Sequence, residues 1–317
     1  MASSASRLVI LGTGALGRYY AYRLRDYNPI VIGTTPPPYA VYPPDRPEPD
    51  IIHPAFLPWE APLANPASSI LLAVKWAAMP RILTWMSQNA PTAQVFSLMN
   101  GMGQEDIFRR FSGITFLAGV TTDALTRVDP PDGPAGVFLR ATGHTWMSMP
   151  DSGQPGDFPP WPDWSWESSD TIQERRWQKL LQNSVINPLS ALTGVNNGEL
   201  PTHPIWRLAP PLLDEARTVW ARATGQDRPL EPLVKTVQEL AEATRSNRSS
   251  MLQDVLATRP TEIQAINGFL LRQGRRYGLS LPTHEAVVTL IERMAPTPEA
   301  LWRLLAPETA PPNDGPR

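Results

Sequence analysis

The chain has 317 residues, 42 % of them hydrophobic and 18 % charged, with a formal net charge of −2. That length suits two domains and supplies apolar material for both cores, while the near-balanced charge gives no field that would draw nucleic acid or an anionic membrane. With no cysteine in the sequence, disulfides, thiolate catalysis and sulfur-ligated zinc are excluded. No apolar run reaches the ~18 residues of a membrane span, and Leu8–Leu11 is too short and too soon interrupted to be a signal-peptide core. We therefore expect a soluble, cytoplasmic protein with no membrane and no nucleic-acid partner.

In chain order, Arg7–Leu11 reads as a buried strand. The turn Gly12-Thr13-Gly14-Ala15-Leu16-Gly17 follows at once, then a helix over Arg18–Asp26 and a second strand over Pro29–Gly33. This is a βαβ unit. Residues 34–66 are proline-rich and read as irregular. Ser69–Lys75 is a strand, Met79–Gln88 a helix, and Gln94–Met99 and Ile114–Thr122 two more strands, the alternation of a parallel sheet with helices packed on it. Residues 136–149 read as short strands and 150–168 as a linker. The character then changes: Thr171–Leu192, Trp206–Thr224, Pro232–Thr258 and Pro260–Tyr277 read as helices. The expected fold is an α/β Rossmann-type domain over residues 1–168, an all-α domain over 169–305 that holds substrate and catalytic groups, and a disordered tail over 306–317.

The Gly12-x-Gly14-x-x-Gly17 pattern gains meaning from its place between a strand and a helix. Gly12 permits the tight turn, Gly14 lets backbone approach a pyrophosphate, and Gly17 lets the helix pack on the sheet. The helix N-terminus offers free N–H groups to the phosphates. Gly12, Thr13, Gly14, Ala15, Leu16 and Gly17 are therefore the expected dinucleotide cradle. The second strand ends in Gly33-Thr34-Thr35-Pro36. It carries neither the acid that marks an NAD site nor an arginine for a 2′-phosphate, so the residues alone leave NADH against NADPH open. Lys75 and Asn100 fall at the carboxyl ends of two strands, the edge where open α/β sheets bind ligands. The four histidines are scattered among turn residues and most read as surface loop residues, with no metal-site spacing.

Three segments together resemble the ketopantoate reductase family. The first is the glycine turn. The second is Ala73-Val74-Lys75-Trp76 with Asn100-Gly101-Met102-Gly103. The third runs from Trp177-Gln178-Lys179-Leu180-Leu181-Gln182-Asn183 through Asn187-Pro188-Leu189 to Ser249-Ser250-Met251-Leu252-Gln253-Asp254, Thr261-Glu262-Ile263 and Ile266-Asn267-Gly268. The resemblance spans residues 8 to about 291. It implies a helical domain like that of 6-phosphogluconate dehydrogenase, an active site in the interdomain cleft, NADP(H) as cofactor and a small 2-keto acid as substrate. The reaction implied is reduction of 2-dehydropantoate to (R)-pantoate for pantothenate and coenzyme A synthesis. Lys179 falls on the family's catalytic lysine and Glu262 on its active-site glutamate. Lys75 and Asn100 match positions beside nicotinamide and substrate, and Asn183, Asn187, Asn247 and Ser250 match substrate-binding positions.

The chemistry agrees with these residue types. Ketone reduction moves a hydride to carbon and a proton to oxygen, and a lysine ammonium can stabilise the growing charge and deliver the proton. Lys179, Asn183 and Asn187 follow one another at four-residue steps along one helical face, drifting by about 40° per step. Pro188 disfavours helical geometry at Asn187 and predicts a kink. Glu262 is expected in the first turn of the helix after Pro260, and Gly268 in that helix's interior. Two other readings stay open: reduction of a different branched 2-keto acid, and a non-catalytic NADP(H)-binding sensor. The oligomer is read as monomer or homodimer.

Overall fold

Apolar runs bounded by turns form a mostly parallel sheet in the computed structural model, which describes residues 8–150 and 164–298. Strand β1 (Leu8–Leu11) is buried along its whole length and leads through the glycine turn into helix α1 (Ala15–Arg23) and strand β2 (Ile30–Gly33). Then come β3 (Tyr39–Tyr42), β4 (Asp50–Ile52), β5 (Ala55–Pro58) and β6 (Ser69–Leu72), with helix α2 (Met79–Asn89) after them. Strand β7 (Ala93–Ser97), the short helix α3 (Gln104–Phe108) and β8 (Ile114–Thr121) follow, then β9 (Ala124–Val128), β10 (Ala135–Ala141), β11 (Thr145–Ser148) and β12 (Trp164–Glu167).

The main sheet has the order β12-β11-β8-β7-β6-β1-β2-β5. From β5 to β8 every pairing is parallel, and β11 returns antiparallel to β8. One apolar cluster covers each face of this sheet, which is why β1 and β6 read as unbroken apolar runs. A second sheet, β4-β3-β10-β9, lies against α1. Arg18 of α1 ties the two together: its buried guanidinium donates to Gly136 O (2.8 Å) and Val128 O (3.1 Å) and pairs with Asp129.

After β12 the chain turns helical. Ser168 caps α4 (Ser169–Thr193) by accepting from the Thr171 N–H, as an N-cap serine does. Helices α5 (Ala209–Thr224), α6 (Leu230–Ala243), α7 (Ser250–Leu256), α8 (Asn267–Arg276) and α9 (Pro282–Met294) pack around α4 in one apolar cluster.

Several expectations need correction. Residues 34–66 are not irregular: β3, β4 and β5 lie there, with the prolines mainly between the strands, where no ladder N–H is lost. The span 232–258 holds two helices, because Ser249 caps α7 separately through the Leu252 N–H (3.1 Å). The span 260–277 starts as tight turns, and α8 begins only at Asn267. Glu262 therefore sits in a turn, and Gly268 is the second residue of α8; a Cβ there would come within 2.2 Å of Gln264 Oε1. Helix α9 is additional. The part of the 150–168 linker that is described, from residue 164, contains β12, and the tail over 306–317 lies outside the described residues. The helix expected over 171–192 is present as α4, with Pro188 inside it. His284 is no surface residue: it is fully buried, bonded to Asn267 Nδ2 and Leu212 O, and burial lowers its pKa to about 4.

Candidate active site

The glycine turn shows three different reasons for its glycines. Gly12 has φ +119° and a Cβ there would lie 2.4 Å from Ala73 O. A Cβ at Gly17 would lie 2.0 Å from Gly12 O, so the helix could not pack. Gly14 is neither strained nor crowded, since its φ is −76° and a Cβ would meet nothing within 4 Å. Packing does not require this glycine. It keeps open the space above the N-terminus of α1, where a pyrophosphate needs close backbone approach. Thr13 clasps the end of β2, accepting from the Thr35 N–H at 3.3 Å.

Parallel strands end at one edge, so the residues after β1, β2, β6 and β7 converge. They line one wall of a cleft of about 860 Å³. Gly12, Thr13, Gly14, Ala15, Leu16, Lys75 and Asn100 lie on it, facing Lys179, Ser250 and Glu262 from the helical half. Gly17 lies behind the wall. Asn183, Asn187 and Asn247 are not brought into this lining. Asn187 is buried and Asn183 half-buried on α4, and neither side chain forms a hydrogen bond among the described residues.

The two halves meet where the loop after β7 docks on the turn before α8. The Met102 N–H donates to Ala265 O (3.2 Å), and a Cβ at Gly101, whose φ is +78°, would lie 2.4 Å from that same oxygen. This docking brings Asn100 to Glu262, with Nδ2 donating to Oε2 at 3.1 Å. The fully buried Trp76 holds Asn100 from the other side, donating from Nε1 to Asn100 O (2.7 Å).

Lys179 reaches across from α4 and donates to Thr121 O at 2.9 Å. Burial in the cleft wall lowers its pKa to about 8, against the opposing charges of Glu262 and Asp123. Burial likewise pushes Glu262 above the usual carboxylate range, although Lys75, Asn100 and Lys179 favour its ionised form. A carboxyl raised and a lysine lowered line one cleft and feel each other's charge, which is an acid–base arrangement.

Four residues were not singled out by sequence reasoning. Asp254, almost fully buried on α7, accepts from both Lys75 and Arg259 and so links the helical half to the end of β6. It lies in the Ser-Ser-Met-Leu-Gln-Asp run, but a helix acid carries no local signal. Asp123 lines the cleft near enough to Lys179 for its charge to be felt there, and Trp59 and Arg81 also line the cleft. Among the described residues no group of histidines and acids could hold a metal ion, and no helix is long and apolar enough to cross a membrane.

The sequence profile for ketopantoate reductase PanE/ApbA matches residues 8–152, and that for the ketopantoate reductase PanE/ApbA C terminal matches residues 171–295. The chain belongs to the ketopantoate reductase family. It is 30 % identical over 298 residues to the 2-dehydropantoate 2-reductase of Shigella flexneri, covering 90 % of this chain and 94 % of that one. The enzyme of the same name from Archaeoglobus fulgidus is 31 % identical over 204 residues, 62 % of this chain and 66 % of the relative. Among solved structures, the PanE/ApbA family ketopantoate reductase from Ralstonia eutropha JMP134 superposes with a TM-score of 0.75 at 23 % identity, covering 91 % of this chain and 98 % of that one. A ternary structure of D-mandelate dehydrogenase with NADH and anilino(oxo)acetate superposes with a TM-score of 0.73 at 19 % identity, over 91 % and 98 % of the two chains. These likenesses describe the fold.

Proposed function

We propose that the protein reduces 2-dehydropantoate to (R)-pantoate with NADPH, with residues 1–168 holding the dinucleotide and 169–305 the catalytic helix. The observation that carries this is the meeting of Lys179, Asn100 and Glu262 in the same cleft as the glycine turn. The glycine turn and the N-terminus of α1 hold the pyrophosphate, with Gly14 as the point of approach. Lys75 and Asn100 lie toward the nicotinamide. Arg81 carries the charge for the 2′-phosphate. The other cations of the cleft are engaged, Lys75 and Arg259 by Asp254, Arg127 by Asp129 and Lys179 by Thr121 O, whereas Arg81 is exposed and has no polar partner among the described residues.

When bound, the cofactor supplies the hydride that adds to the ketone carbon. Lys179 holds its proton at Nζ, turns from Thr121 O toward the ketone oxygen, stabilises the charge that develops there and transfers the proton to it. Glu262, held by Asn100, accepts from the substrate hydroxyl and so orients the ketone. Ser250, at the first turn of α7, faces the substrate from the open side. Asn183, Asn187 and Asn247 join only if the halves close further on substrate.

The test follows nicotinamide oxidation with 2-dehydropantoate for the wild type and Lys179→Ala, with NADPH and NADH side by side. Turnover with NADPH that collapses in the variant supports the reading. NADPH binding without turnover of this substrate refutes it and directs attention to other branched 2-keto acids or to a sensor.

A further inference from the structure

Asp123 follows β8 and lies in the cleft wall beside Lys179, yet nothing in the reaction as derived uses it. Its carboxylate is held with unusual care. Oδ1 accepts from the Gly143 N–H at 2.9 Å, and Oδ2 accepts from Thr121 Oγ1 at 2.9 Å, with the Tyr20 hydroxyl oxygen 3.4 Å away. Gly143 has to be glycine for this approach, because a Cβ there would come within 2.5 Å of the Thr122 and Asp123 backbone. Behind the carboxylate, hydroxyls form a directed chain. Tyr20 meets Thr145 Oγ1 at 2.7 Å, Thr145 donates to Thr121 Oγ1 at 3.0 Å, and Thr121 donates to Asp123. Tyr20, Thr121 and Thr145 are all buried, so the chain is shielded from competing water.

Thr121 is also the residue whose carbonyl receives Lys179. One side of Thr121 is thus pinned by Asp123, and the other parks the lysine. A carboxylate held this rigidly in a partly desolvated wall keeps its charge at a fixed distance from the ammonium, where the low local dielectric strengthens its effect. The geometry points to Asp123 as a positioning residue for Lys179: it fixes the Thr121 carbonyl that parks the ammonium and supplies a stationary negative charge beside it. This rests on the proposed proton-donor role of Lys179. The other charged groups of the cleft are Glu262 in the turn before α8, Lys75 after β6 and Arg259 with Asp254 of α7, Arg127 paired with Asp129, and the exposed Arg81. On α4 itself Arg175 is paired with Glu167 and Arg176 with Glu105. Desolvation already opposes the lysine charge, so removing the Asp123 charge moves the proton equilibrium further toward the neutral amine.

The test uses Asp123→Asn in the full-length protein, which keeps the shape and removes the charge. The pH dependence of single-turnover reduction of 2-dehydropantoate by NADPH is compared with wild type. Its alkaline limb is expected to move to lower pH by on the order of one unit, and Asp123→Glu to restore most of the shift. In parallel, the rate of amine acylation at Lys179 is followed against pH by peptide mass spectrometry, with no substrate present. Its midpoint is expected to move the same way. A wild type that does not turn over 2-dehydropantoate overturns the functional reading, while the acylation midpoint still decides the role of Asp123. A uniform loss of rate with both midpoints unmoved overturns the proposal, since that is what a merely structural residue would give. If the melting temperature of Asp123→Asn is too low to assay, Asp123→Ser is judged by the same acylation midpoint.

Discussion

The lowered pKa of Lys179 makes a quantitative demand on the reaction. With a pKa of about 8, the side chain is about nine-tenths ammonium at pH 7 and about one-tenth at pH 9. The proton donor is the acid form, so the rate of reduction is full below pH 7 and lost as pH rises through 8. The expected fall between pH 7 and pH 9 is about tenfold. A lysine at its ordinary value of 10.5 would leave the rate flat across this window. The assay is rapid-mixing reduction of 2-dehydropantoate at saturating NADPH, repeated with NADPH deuterated at the transferred position. A full isotope effect at each pH shows that hydride transfer is being observed. A rate that holds constant to pH 10, with the isotope effect intact, would refute both the desolvation reasoning and the assignment of Lys179 as donor.

Four further outcomes are expected. Glu262→Gln should lower kcat/KM for 2-dehydropantoate by roughly 10–100-fold and barely affect an analogue lacking the hydroxyl, because one charged carboxylate oxygen becomes an NH2 donor while Asn100 still claims the remaining acceptor, and only the former substrate has a hydroxyl to leave unmatched; equal losses in side-by-side kinetics would remove Glu262 from hydroxyl recognition. Gly14→Ala should leave the melting temperature of the free protein unchanged, since its Cβ meets open space, while weakening NADPH binding by about tenfold or more, about 1.4 kcal/mol; calorimetric titration and a melt separate the two effects. Gly101→Ala must adopt φ +78° against Ala265 O, at roughly 2–4 kcal/mol, so its melting temperature should drop by several degrees and its activity fall as Asn100 leaves Glu262. Arg81→Ala should weaken NADPH binding and leave NADH binding nearly unchanged, read by quenching of protein fluorescence; equal weakening of both would move the 2′-phosphate elsewhere.

Much of this could be read from the sequence, for a local reason. The glycine turn carries much of its meaning in spacing, because Gly12 and Gly17 answer constraints within a few residues or against the adjacent strand, while Gly14 meets open space. The parallel strands announce themselves as unbroken apolar runs, since burial on both faces removes the alternation that would otherwise be seen. The long helix that carries Lys179 was equally plain. The family resemblance then named Lys179 and Glu262, although no local pattern distinguishes them from a solvated helix lysine and a first-turn acid.

The tertiary structure decided the rest, because the deciding contacts join residues far apart in the chain. Asn100 meets Glu262 only because Gly101 lets one loop press on Ala265. Asp254 matters only because Lys75 reaches it from the other half. Asp123 acquires a role only when β8 packs on α4 and its neighbour Thr121 receives Lys179. The asparagines of α4 share a helical face with Lys179, yet neither is among the residues that line the cleft. Periodicity can state which side chains share a face. Which of them reach a ligand depends on where the opposing element packs, and that is fixed by burial and steric fit across the whole chain.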